Sequence, residues 1–537
     1  MQIKQIQYSE QVRQSIKAGV DKMANAVKET LGPGGQYVVI EKGIQRPITT
    51  NDGVTIAKHI ALEDPFENLG AQLLKDASSK TNDVAGDGTT TVCVLVQKLV
   101  EEGFKAVDGG ANPVVLAKQI EEAAALMISE IESKAKKIDL SNVDEAFKQI
   151  SNIGTISAND EQIGKILADS ILQIGKNGVI TVEEGNKPNT TFDVVSGMQF
   201  DRGFESPYFV TEVQKMECVL ENPYIIVTNY DVYDTYSILQ IVSQIVSSGR
   251  SFLIIGEEVQ GIVLAELIQN KMKGSAKCCA VRAPGYGRER DFLLTDIATI
   301  TRAEVISAQY GKRLQDITLD QLGQAARVVV TQDKTMIIDG AGRKSEIAKA
   351  VLAIEGQIRE AKDEEKDFLK ARLAKLSGGI GVIRVGAATG SELKAKKYKA
   401  EDAMHAVMSA VEEGYVPGGG CALLRAAQAL LNLPGGQGHK ILCESVMAPF
   451  RKIIETAGGD PNLAFTTIMG APYNIGINGK TLAPVDMLEA GIIDPAKVVK
   501  TALRNAVSIA CLLLTTKVLI ADLERGGGGY PGMNEQR

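Results

Sequence analysis

The sequence predicts a multidomain protein in which one continuous α/β segment interrupts a mostly helical body. Three observations predict it. The 537 residues are enough material for three or four domains. Both ends of the chain carry apolar residues at helical spacing. The middle alternates short apolar strands with helices, as parallel βαβ units do. With 44% hydrophobic residues the chain can bury large cores. The simplest arrangement is nested, with the two ends folding together around the insert.

Val12, Ile16, Val20, Met23, Val27 and Leu31 form one helical stripe. Gly32-Pro33 stops it, because Gly suits a left-handed cap and Pro cannot continue the ladder. A short strand is expected at Tyr37 to Glu41, then helices from Asn68 to Val84 and from Thr89 to Val107. Asn112-Pro113 reads as a cap followed by Pro at the first helical position. In the middle, Tyr224 to Thr228, Ser251 to Ile255 and Cys278 to Ala283 read as strands. Residues 235–248 and 258–272 read as the helices between them. The charged run Arg359 to Lys375 reads as a solvated helix face. From Ala400 the pattern is helical again, and the Gly-rich end, 526–537, reads as a flexible tail.

Composition narrows the function classes. Net charge is −7 with no strongly basic block, which argues against nucleic acid as the main partner. Trp is absent and aromatics are 5%, too few for a base-stacking surface. The amphipathic first residues lack the apolar core of a signal peptide. No uncharged apolar run reaches the ~20 residues of a membrane span. The seven cysteines are scattered without a CxxC pair and read as reduced thiols of a cytoplasmic protein. Cys278 and Cys279 are adjacent in an apolar run, where core filling competes with a metal or redox role. His59, His405 and His439 lie far apart and outline no zinc site.

The strongest local motif is Gly86-Asp87-Gly88-Thr89-Thr90-Thr91. Glycines let backbone approach a ligand closely. Threonines at a helix start add hydroxyls where free N–H groups and the dipole favour an anion. An acidic neighbour is what a phosphate-bound Mg²⁺ needs. A capped helix after a tight turn would show the same residues. No GxxxxGK[ST] loop occurs, so a Walker-type NTPase is excluded. Thr30-Leu31-Gly32-Pro33-Gly34-Gly35 could wrap a nucleotide or simply end a helix, and Pro417 to Gly420 could be a hinge.

Six runs together carry a resemblance: Thr30 to Gly35, Thr50 to Ala57, Asn68 to Thr91, Ser196 to Phe209, Ala400 to Gly420 and Gly491 to Val498. In order and spacing the chain resembles a group I chaperonin of the GroEL type from about residue 3 to 525. The resemblance implies a helical equatorial domain at 1–133 and 413–537, which holds nucleotide and makes ring contacts. It implies a small α/β intermediate domain at 134–195 and 381–412, and an α/β apical domain at 196–380. It also implies ATP and Mg²⁺, with K⁺ as a further candidate cation.

By that resemblance Thr30, Leu31, Gly32, Pro33, Asp87, Gly88, Thr89, Thr90 and Thr91 hold the phosphates, Asp87 through the metal. Gly419, Asn478, Gly479, Ile492 and Asp494 surround adenine and ribose. Asp402 orients the attacking water, and Asp52 is a second carboxylate near the γ-phosphate. Phe204, Tyr208, Phe209, Leu239, Val242, Leu264 and Ile268 form an apolar rim for unfolded client proteins. The implied partners are further copies of the chain in a double ring, a tetradecamer by family precedent, and a GroES-type co-chaperonin. The implied activity is ATP-driven folding in a closed chamber. The alternative is a related protein with weak turnover that acts as a holdase or scaffold. Three departures bear on that choice: Gly34 and Asn51 stand where the family has Lys, and Gln269 where an apolar groove residue is usual.

Overall fold

The structure, a computed structural model, describes residues 4–42, 45–175, 178–185, 187–213, 215–360, 363–387, 389–431, 433 and 435–522. The expected tail at 526–537 lies outside the described residues. The chain divides into two units, Met1–Asp169 with Ala387–Arg537, and Ser170–Gly386.

The first unit opens with β1 (Lys4–Tyr8), α1 (Ser9–Lys28), the hairpin β2 (Val38–Lys42) and β3 (Gln45–Thr50), and α2 (Gly53–His59). It continues with α3 (Pro65–Ala85), α4 (Thr89–Asp108), α5 (Pro113–Lys134) and α6 (Val143–Ala158), and ends within α7 (Glu161–Ile174), whose residues from Ser170 belong to the second unit. The predicted stripe of α1 is buried from Val12 to Val27. The helix ends at Lys28, earlier than expected, and Gly32 at φ +80° makes the turn beyond it. Asp64 and Asn112 cap α3 and α5 through their side chains, each ahead of a Pro at the first turn.

The second unit holds β4 (Val179–Glu184), β5 (Thr191–Val195), β6 (Gly197–Phe200), β7 (Cys218–Glu221), β8 (Tyr224–Thr228), α8 (Leu239–Ser247), β9 (Phe252–Gly256) and α9 (Gly261–Met272). Then come β10 (Cys278–Arg282), α10 (Gly287–Thr301), β11 (Val305–Ile306), β12 (Gly323–Val330), β13 (Thr335–Gly340), α11 (Lys344–Glu360), α12 (Asp363–Ser377) and β14 (Ile380–Val385). The main sheet runs β10-β9-β8-β12-β13-β6, with β8, β9 and β10 parallel as the βαβ pattern predicts. Their residues are buried on both faces, which explains the unbroken apolar runs. A separate three-stranded sheet is ordered β4-β14-β5. The helix expected over 235–248 splits into a 3-10 turn, Thr235–Ser237, and α8.

The chain returns to the first unit with α13 (Gly390–Glu413), β15 (Tyr415–Pro417), α14 (Cys421–Leu431), α15 (Gln437–Ser445), α16 (Ala448–Thr456) and α17 (Pro461–Ile468). The short strands β16 (Ile475–Ile477), β17 (Pro484–Asp486) and β18 (Ile493–Pro495) lead to α18 (Ala496–Thr515) and β19 (Val518–Asp522). β19 pairs antiparallel with β1, joining the two chain ends. α18 is long and apolar enough to cross a membrane, yet 72% of its apolar window is buried in this unit. Its apolar residues join those of α1, α3, α4 and α5 in one core, so it reads as a central core helix. All seven cysteines are buried and unpaired.

Candidate functional site

The geometry begins where α3 ends. Gly86, at φ +67°, caps α3, and Gly88, at φ +83°, starts α4. No side chain caps α4, so its first N–H groups stay open to an anion. A Cβ on Gly53 would lie 2.4 Å from the Thr90 hydroxyl and 3.1 Å from that of Thr89. The Thr30 and Thr90 hydroxyls are 3.4 Å apart. The 30–33 turn, the start of α2 and the start of α4 therefore meet at one place. Leu31, Gly32 and Pro33 follow Thr30 in that turn, and Thr91 belongs to the first turn of α4.

Carboxylates converge on it. Asp52 caps α2, accepting from the Val54 and Thr55 N–H groups at 3.1 and 2.8 Å. Its carboxylate thus has a structural task that the sequence reading did not assign. Asp87 accepts from the Gly88 N–H and from the Ser157 hydroxyl, the latter at 3.1 Å. Burial pushes the Asp87 carboxyl above its usual range; these hydrogen bonds oppose the push and the Asp52 charge adds to it. Asp494 is pushed up to about 7, by burial first and then by the charge of Asp87, while the Gly419 N–H pulls it down. The charge of Asp52 raises the proton affinity of Asp87, and that of Asp87 raises the proton affinity of Asp494, repulsion that a cation beside them would relieve.

Gly418 donates to the Ile492 carbonyl at 2.9 Å, within the β15–β18 pairing that sets Val416 opposite Asp494. Gly419 adopts φ +63°. A Cβ on Gly479 would lie 2.7 Å from the Pro33 ring. Asn478 accepts from the Lys480 N–H at 2.9 Å and so shapes that turn. The structure thus links the expected phosphate residues to Gly419, Asn478, Gly479, Ile492 and Asp494.

Asp402 enters through α13. His405 packs on Gly86, where a Cβ would fall 2.0 Å from the His405 Cβ. The Ser409 hydroxyl donates to the Ala85 carbonyl at 3.1 Å. Positions 402, 405 and 409 share one helix face. Asp402 therefore sits one turn from the residue that touches the Gly86-Asp87-Gly88 turn. Ser157 and His405 are the site neighbours that sequence reasoning missed, because contacts between helices distant in sequence leave no local motif.

Among the described residues no group of three or more His, Cys, Asp or Glu side chains could hold a metal alone. A separate cavity of about 310 Å³ in this unit, lined by Leu431, Leu433, His439 and Met447 among others, shares no residue with the site.

In the second unit Tyr208 and Leu239 are exposed, at 64% and 48%. Phe204, Val242, Leu264 and Ile268 are half-buried against the core. Phe209 departs from the expected rim: it is fully buried and supports the surface from beneath. Tyr236 and Ile262, exposed at 80% and 68%, are apolar surface the sequence reading missed. Gln269 is exposed on α9.

A model of the TCP-1/cpn60 chaperonin family matches residues 23–523. Among solved structures, the chain is similar to the chaperonin gp146 of bacteriophage EL (Pseudomonas aeruginosa), crystallised in the presence of ATP-BeFx. Identity is 21%, over 96% of this chain and 98% of that one, with a TM-score of 0.67. The two carboxylate-lined glycine turns and the nested α/β insert therefore occur in a chain that belongs to the TCP-1/cpn60 chaperonin family.

Proposed function

We propose that this protein is an ATP-dependent chaperone. The observation that carries the reading is the meeting of the Thr30 turn, Gly53 and the start of α4 beside Asp52, Asp87 and Asp494. In this reading the open N–H groups and hydroxyls of α4 and the 30–33 turn hold the phosphates. Asp87 would hold Mg²⁺, which would supply positive charge against the phosphate oxygens. Asp402 orients the attacking water, and Asp52 shapes the γ-phosphate end while it caps α2. Gly419, Asn478, Gly479, Ile492 and Asp494 surround the base and sugar.

The exposed apolar surface of the second unit would take non-native proteins, which expose apolar surface of their own. Self-assembly into rings fits the family. The exposed two-stranded sheet β1–β19, with Ile6, Val518 and Ile520 at 44–56% exposure, offers edges for a neighbouring copy. A double ring, tetradecameric in the family's manner, a GroES-type partner and a cytoplasmic setting complete the proposal; the unpaired thiols agree with a reducing compartment.

Asn51 and Gly34, where the family has lysines, favour a second reading: a chaperonin-like holdase with weak turnover. Asp402→Ala decides between them. A working machine should bind ADP unchanged and hydrolyse ATP about 100-fold more slowly, the scale of a lost water-orienting group. Wild-type turnover already at that low level, measured by phosphate release, would leave the holdase reading.

A further inference from the structure

The 30–35 turn leans on α16. The Thr456 hydroxyl reaches the Leu31 carbonyl at 2.9 Å, the shortest of three acceptors that include the Lys452 and Ile453 carbonyls of its own helix at 3.0 and 3.1 Å. A Cβ on Gly32 would lie 3.1 Å from the Ile453 side chain. Lys452, buried at 7% exposure, donates to Glu29 at 2.9 Å and to Glu455 at 3.1 Å. A Cβ on Gly34 would lie 2.2 Å from the Thr456 carbonyl oxygen and 2.6 Å from its carbon. Those are backbone atoms, which no rotamer change can move aside. Gly34 does not have a left-handed φ, so close approach is its reason for being glycine.

We propose that the last turn of α16 positions the phosphate turn through Lys452, Ile453 and Thr456, and that this packing closes position 34 to every side chain. The functional consequence rests on the nucleotide reading above. A lysine placed at 34 adds charge but must push the turn off α16. Gly34→Lys therefore weakens nucleotide binding, the opposite of what charge alone predicts. Asn51, half-buried ahead of α2, already carries a side chain. The charge argument applies there undisturbed, and Asn51→Lys should tighten binding.

The test uses the full chain and two readouts. The first is hydrogen exchange at Gly35 and Gln36, whose N–H groups bond to the Gly32 and Glu29 carbonyls and close the turn. The second is the Kd for ADP with Mg²⁺ by calorimetry. Thr456→Val should speed exchange at both amides and raise Kd about fivefold, as loss of one hydrogen bond does. Thr456→Ser keeps the hydroxyl and should restore both values. Gly34→Ala and Gly34→Lys should each raise Kd at least about tenfold. Native mass checks that these variants fold; if the Gly34 variants do not, the Thr456 pair decides. Unchanged exchange in Thr456→Val, or ADP binding by Gly34→Lys as tight as wild type, overturns the clamp. Faster exchange in Thr456→Val, with a wild-type chain that binds no ADP, upholds the clamp and removes the nucleotide reading.

Discussion

Gly86 is the most constrained residue at the candidate site. Its φ of +67° and the His405 Cβ, 2.0 Å from where its own Cβ would be, exclude a side chain on two separate grounds. Gly86→Ala should cost at least about 1–3 kcal/mol of the first unit's stability, the scale of strained backbone. It should also lower turnover, because the clash pushes away the helix that carries Asp402. Denaturant unfolding and phosphate release measure the two effects. His405→Ala, which leaves a Cβ in place, should not rescue the variant. At this scale the motif glycines and threonines were legible, since close approach needs those residue types. The reason for Gly34 was not: its partner, the Thr456 carbonyl, lies far along the chain and is backbone, so no residue pattern marks it. The double role of Asp52 was also hidden, because a cap and a site carboxylate read alike.

At the scale of elements, α12 shows where hydropathy misleads. Its charged sequence reads as a solvated face, yet Leu369, Arg372 and Leu376 are buried. Arg372 makes a two-pronged bond with Asp296 of α10 at 2.7 and 2.8 Å and stacks near Phe292 and Phe368. A pattern that scores charge as exposure cannot foresee a buried ion pair. The parallel strands were legible because strands covered on both faces are apolar throughout. Burial raises the Asp296 carboxyl above its usual value even though Arg372 opposes it. Arg372→Met should therefore cost about 3–5 kcal/mol at neutral pH, since it strands a buried charge. A raised folded pKa means stability present below the unfolded carboxylate range and lost as pH rises through the folded value. The penalty should thus shrink as pH falls and Asp296 takes up its proton. Asp296→Asn in the same background should recover much of the loss. A penalty independent of pH would mean that Asp296 is not the stranded group.

At the scale of the whole molecule, the helical ends and the α/β middle form separate units with separate cores. The order of helical, α/β and helical patterns made this nesting the simplest arrangement, and the contacts of the chain ends supply what periodicity does not carry. The exact boundaries left no such signal. The candidate nucleotide residues all lie in the first unit, and Arg372 and Asp296 in the second. A ligand that binds only folded protein stabilises the unit it binds by about 2.7 kcal/mol at 100 times its Kd. Scanning calorimetry should accordingly resolve two transitions. ADP with Mg²⁺ should raise one of them, and Arg372→Met should lower the other. Thr456→Val should reduce the nucleotide-dependent rise and leave the second transition in place. If ADP and Arg372→Met moved the same transition, the cores would unfold as one cooperative block. The two units would then be divisions of contact alone, and nucleotide bound in the first would stabilise the second directly.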